Sequence, residues 1–152
     1  MRHIWSVLRK IKMGIIMINS YVALDIETTG VNPSLDKIIE IGMAKVVDGV
    51  VVDSFSSLID PRTSISSRIT ELTGITDENV KGKPVIDSVI GYIVEFTEGF
   101  PLLGHNIIFD YSFIKKAAVN NRIEFERDGI DTLKMSRRLL PDMPHKGLEY
   151  LC

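Results

Sequence analysis

The sequence has 152 residues, 45% of them hydrophobic and 25% charged, enough for one globular domain with a core but hardly for two. Its formal net charge of -2 gives no sign of the strongly basic surface that marks many nucleic-acid binders, although bound divalent cations would invert the sign locally. A single cysteine, Cys152, excludes an internal disulfide framework and a zinc site built from several cysteines, and the default setting is reducing and cytoplasmic.

Residues 1–18 read as a leader ahead of a domain that occupies 19–152. Arg2, Arg9, Lys10 and Lys12 precede a short apolar stretch from Gly14 to Ile18. That stretch is too short to cross a membrane, and no small-residue cleavage site follows it. The leader is either an amphipathic appendage or an artefact of the start codon, since Met13 and Met17 both lie just ahead of the first strand.

Tyr21 to Ile26 is a short, largely apolar strand, broken by Gly30 and Asn32-Pro33. The runs KIIEIGMAKVV and VVVDSFSSLID flank Asp48-Gly49, a strong hairpin signal between β-branched runs. The first three strands are therefore read as an antiparallel meander. RTSISSRITELTGITDENVKGK reads as a polar link, and PVIDSVIGYIVEFTEG as a helix with Pro84 at its first position and Gly99 at its stop. PLLGHNII reads as a fourth strand, FDYSFIKKAAVNNR as a helix, GIDTLKMSRRLLP as a fifth strand running into a short helix, and HKGLEYLC as the start of another helix. Strands in a meander followed by alternating helix and strand predict an α/β domain with a mixed five-stranded sheet.

Asp25 and Glu27 alternate on one strand, so both side chains point to the same face near its carboxyl end. Asp110 falls where the fourth strand gives way to a helix. Ligands of open α/β sheets gather beyond the carboxyl ends of the strands. Acids converging there repel one another unless protonated or bridged by cations, and an all-oxygen donor set suits Mg²⁺ or Mn²⁺. Two such ions would make a phosphodiester-hydrolysing site. An Asp-x-Glu alone equally describes solvated strand-end acids, but here it stands in an ordered set: DIETTG, then GITDENV, then GHNIIFDYSFI.

This set resembles the DnaQ-like (DEDD) family of 3′-5′ exonucleases, which includes the proofreading subunits and domains of bacterial replicative polymerases. YVALDIETTG is similar to the first exonuclease motif, LLGHNIIFDYSFI to the second, and ELTGITDENVKGKPVIDSV to the segment between them. The resemblance implies an RNase H-like fold with two divalent metal ions. It makes Asp25 the bridging ligand, Glu27 a ligand of the ion that activates water, and Asp110 a group facing the second ion. By the same resemblance Thr28 and Gly30 line the pocket for the terminal nucleotide and Asn106 approaches the scissile one, though turn formation explains Thr28 and Gly30 equally well. The implied substrate is a single-stranded DNA 3′ end, with RNA left open and a DNA polymerase subunit as the implied partner.

The family's third motif pairs a His or Tyr base with a fourth Asp, and HKGLEYLC resembles the helix that precedes it. His145 is read as a helix-start or surface residue and His105 as structural. Without that motif and its C-terminal helix, the chain is expected to be weakly active or inactive and less stable than a full domain. A pseudo-nuclease that grips nucleic-acid ends, or a polymerase subunit, without cutting is the alternative.

Overall fold

The computed structural model describes residues 18–151, so all of the leader except Ile18 lies outside the described residues. Strand β1 runs Tyr21–Thr28, β2 Ile38–Val47 and β3 Val50–Leu58. Helices α1 (Ser67–Thr73), α2 (Asp77–Val80) and α3 (Ile86–Phe96) precede β4 (Leu102–Gly104). Then come α4 (Ile107–Asn120), β5 (Gly129–Asp131), α5 (Thr132–Leu139) and α6 (Leu148–Leu151).

The five strands lie in the order β3-β2-β1-β4-β5. β1 pairs antiparallel with β2 and β2 with β3, while β1 with β4 and β4 with β5 are parallel. The mixed sheet and the meander are thus as the sequence implies. Asp48 (φ 52) and Gly49 (φ 79) both take the left-handed conformation between Val47 and Val50, the geometry that a two-residue hairpin with right-handed strand twist requires.

Alternation along β1 separates two faces. Val22, Leu24 and Ile26 join Ile90, Ile93 and Phe96 of α3 and Phe113 and Ile114 of α4 in the main core. Tyr21 and Ala23 join Ala44, Val46 and Leu103 in a smaller cluster, on the face that Asp25 and Glu27 share. A third cluster anchors α1 and α2 through Ile65, Ile75 and Val80 against Ile39, beside the carboxyl end of β1. Among the described residues, no helix is long and apolar enough to cross a membrane.

Several boundaries differ from the sequence reading, each for a local reason. β1 continues through Thr28 instead of ending at Ile26, because Glu27 and Thr28 still pair with Glu40 and Ile38. The polar link contains two helices, started by Ser66, whose side chain accepts from the Ile69 amide, and by the Thr76–Asn79 capping box. Pro84 lies outside α3, whose N-cap is Val85. β4 is three residues long, not the eight of PLLGHNII, because Asn106 turns left-handed (φ 66) and α4 begins at Ile107.

Candidate active site

Asp25 and Glu27 stand half-buried on β1, opposite Gly42 and Glu40 of β2 respectively. Asp110 lies in the first turn of α4 and is 4% exposed. Its Oδ1 accepts the backbone N–H of Ile26 at 3.0 Å, which ties the helix start to the strand between the two other acids. The amide donor and the helix N-terminus both favour a carboxylate there. Burial wins over them. Together with the negative charges of Asp25 and Glu27, it pushes the Asp110 carboxyl up to about 8, against the pull of the Ile26 amide and its own. Glu27 is raised in the same direction by burial first, then by Asp25 and Glu40.

The turn that delivers Asp110 is built by residues from two other elements. Gly104 ends β4 where a Cβ would lie 2.7 Å from Ile107 Cδ1 and 3.0 Å from the Leu24 carbonyl oxygen, so only glycine lets β4, β1 and the first turn of α4 come this close. Asn106 is exposed, left-handed and makes no side-chain cap to α4. Its backbone N–H donates to Asp131 Oδ1 at 3.0 Å, and the same oxygen accepts the amides of Leu133 and Lys134. One carboxylate oxygen therefore caps α5 and holds the β4–α4 turn. Thr132 donates to the Gly104 carbonyl, so His105 Nδ1, 3.0 Å from its hydroxyl, acts as the donor in that pair. His105 is thereby a strut of the turn.

Thr28 is buried, and its hydroxyl donates to the Gly30 carbonyl at 2.5 Å. A Cβ on Gly30 would meet the Asp36 carboxylate at 2.5 Å. Asp36 in turn accepts the Asn32 amide, and Thr29 exchanges hydrogen bonds with Lys37. The β1–β2 turn is thus closed tightly just beyond the two acids. His145 is exposed and stacks on Tyr150, with ring centroids 4.9 Å apart.

As they stand, the carboxylates are not a closed ligand set: among the described residues, no three His, Cys, Asp or Glu side chains are gathered closely enough to hold an ion. Buried beside like charges, Asp110 is most stable with a proton. The donor chemistry still fits a hard divalent cation, being all oxygen with no thiolate or imidazole.

A family profile described as Exonuclease (RNase_T) matches residues 22–152. The chain belongs to this exonuclease family. Among its relatives, the DNA polymerase III PolC-type of Clostridium perfringens (strain 13) is 45% identical over 125 residues, 82% of this chain and 9% of that one. The PolC-type enzyme of Caldanaerobacter subterraneus subsp. tengcongensis is 42% identical over 131 residues, 86% and 9% of the two chains. The exonuclease chain thus spans about a tenth of the length of these curated relatives.

Solved exonucleases share the fold. A zinc-bound E. coli ExoI–ssDNA complex superposes with a TM-score of 0.76 at 19% identity, covering 88% of this chain and 34% of that one. Exonuclease X in complex with 5′ overhanging duplex DNA gives 0.63 at 29% identity, with 81% and 66% covered. The RNase H-like sheet expected from the motifs is therefore the fold of this exonuclease.

The structure brings Asp25, Glu27 and Asp110 to one end of β1, with Thr28 as the last residue of that strand and Asn106 and Gly30 on the two turns beside it. Sequence reasoning missed Asp131, Thr132 and Glu40. The first two carry a recognisable signal, since Asp-Thr ahead of an amphipathic run is an N-cap pattern. Glu40 shows itself only once the strand register is known.

Proposed function

We propose that this exonuclease removes nucleotides from the 3′ ends of single-stranded DNA by divalent-metal-dependent hydrolysis, with Asp25, Glu27 and Asp110 as its metal-holding residues. The observation that carries the reading is the Asp110 carboxyl, fixed to the Ile26 amide and raised by its burial first and then by Asp25 and Glu27. A cation in place of the proton relieves all three repulsions at once. When bound, paired Mg²⁺ or Mn²⁺ ions stabilise the attacking and leaving oxygens of a phosphoryl displacement.

The chain's own residues supply position and shape. The left-handed Asn106, exposed and uncapped, presents an amide toward the scissile nucleotide. The Thr28–Gly30 turn forms a wall for the terminal one. Contacts of this kind read backbone and terminus, so sequence preference is weak. DNA is favoured as substrate because the structural neighbours named above are ExoI with ssDNA and Exonuclease X with duplex DNA. We further propose that the activity acts beside a replicative polymerase in the cytoplasm, as a proofreading domain spanning 19–152, a reading supported by relatives named DNA polymerase III PolC-type.

The test is incubation of the purified chain with 5′-labelled single-stranded DNA and Mn²⁺. Weak stepwise shortening from the 3′ end is expected, and Asp25→Ala lowers it by about 10²–10³, the loss typical of removing one electrostatic stabiliser. Shortening indifferent to Asp25→Ala, or the absence of both shortening and Asp25-dependent Mn²⁺ binding, overturns the reading, whereas Asp25-dependent Mn²⁺ binding without shortening favours the non-cutting alternative.

A further inference from the structure

Glu27 and Glu40 are direct cross-strand partners in the antiparallel β1–β2 ladder. Directly opposed residues carry their side chains on the same face with Cβ atoms about 4.5–5.5 Å apart, and like charges so placed destabilise the sheet. Neither side chain has an ion pair within the described residues, where the salt bridges are Lys81–Glu78 and Lys115–Glu126. The partner of Glu40 on its other flank, in β3, is Leu58, which offers no charge. Glu40 is only partly buried, and its neighbours Ile39 and Ile41 are fully buried, so the register is locked and Glu40 cannot turn away by slipping one residue.

The topology also says from which side Glu40 acts. β2 lies on one flank of β1, and β4, which leads into α4 and Asp110, lies on the other. Asp110 therefore closes the carboxylate site from the β4 side and Glu40 from the β2 side, with Glu27 on the strand between them.

Building on the metal-site reading above, we propose that Glu40 is a further carboxylate of the cation site, a positioning residue that holds the ion at Glu27 through that ion's water shell. Its place across the ladder, one strand removed from Asp25 and Glu27, suits a contact through bound water, and Mg²⁺ and Mn²⁺ sites commonly keep several waters. The unfavourable Glu27–Glu40 pairing of the metal-free sheet is then the counterpart of a favourable one in the loaded site.

The deciding experiment is calorimetric Mn²⁺ titration of the full chain, paired with thermal melts in EDTA, for the unsubstituted protein, Glu40→Gln, Glu40→Ala and Asp25→Ala. Glu40→Gln is expected to melt higher than the unsubstituted protein in EDTA and to bind Mn²⁺ about tenfold more weakly, the low end of losses seen when an outer-shell partner is removed. Glu40→Ala, which cannot hydrogen-bond, weakens binding at least as much and shows that the loss does not depend on the introduced amide. Unchanged affinity in both folded variants, while the unsubstituted chain binds Mn²⁺ and Asp25→Ala does not, overturns the role of Glu40 alone. No Mn²⁺ binding by the unsubstituted chain overturns the metal-site reading and this proposal with it.

Discussion

The backbone N–H of Ile26 donates to Asp110 Oδ1 at 3.0 Å across 84 residues of sequence. The bond fixes a buried carboxyl whose folded-state value, about 8, lies far above the ordinary carboxyl range. Unfolded, the same group ionises near pH ~4. Between those limits the native state binds more protons than the unfolded one, so stability falls as pH rises through the window. Glu27, also raised, adds to the same trend.

Melting temperatures of the metal-free protein in EDTA are therefore expected to fall from about pH 4 toward about pH 8. Asp110→Asn keeps an oxygen for the Ile26 amide and removes the charge. It should flatten the profile and melt higher than the unsubstituted chain at the alkaline end, by about 1–3 kcal/mol, the range of large single-site effects. A variant profile parallel to the original would count against a proton on Asp110.

Divalent cations should reverse that penalty. At an ion concentration of about 100 times Kd, binding to the native state alone adds about 2.7 kcal/mol of stability. The rise in melting temperature on adding Mn²⁺ is expected to be larger at pH 8 than at pH 6, and to vanish in Asp25→Ala. Differential scanning fluorimetry across a Mn²⁺ series checks it, and an equal rise in both proteins would refute it.

Asp131 serves three amides with one oxygen. Asp131→Ala leaves the Asn106 turn and the start of α5 without their acceptor, for a loss of about 1–3 kcal/mol. Asp131→Asn retains an oxygen cap and should lose less. Urea denaturation of the two variants distinguishes a capping role from a purely electrostatic one, under which both would lose equally.

Gly30 and Asp36 form a tight pair in the β1–β2 turn, where a Cβ at residue 30 would lie 2.5 Å from the carboxylate. Gly30→Ala is expected to destabilise by about 1–3 kcal/mol through overpacking. Combined with Asp36→Ala, the two losses should sum to less than their separate values, because the second change removes the clash. Strict additivity would show that the glycine serves something other than that close approach.

What could be read from the residues alone was whatever depends on neighbours in sequence. Asp48-Gly49 marked its hairpin, and the alternation of Asp25 and Glu27 put both on one face. The β4–α4 boundary was misread because PLLGHNII is apolar enough for a strand, and nothing local shows that Asn106 will turn left-handed under the hold of Asp131. The helices of the polar link were legible in principle, from Ser66, the Thr76–Asn79 box and Gly74, but were masked by the surrounding hydrophilic composition. Glu40 belongs to a different class, since its charge matters only through the β1–β2 register that sets it opposite Glu27, and no short-range signal in the turn over residues 29–37 specifies that register.

The strand order has a kinetic side. Asp25, Glu27 and Glu40 sit in a meander whose strands are consecutive in the chain, whereas Asp110 arrives only when β4 pairs in parallel with β1, Val22 beside Leu102. Closing that long loop is entropically the slower event. On this topology the acids of the meander are expected to come together first during folding, in water, where their repulsion is weak. Docking of β4 and α4 is then the step that brings in the group that must shed either its charge or its solvent, and the chemistry of the site is expected to assemble after its scaffold is committed.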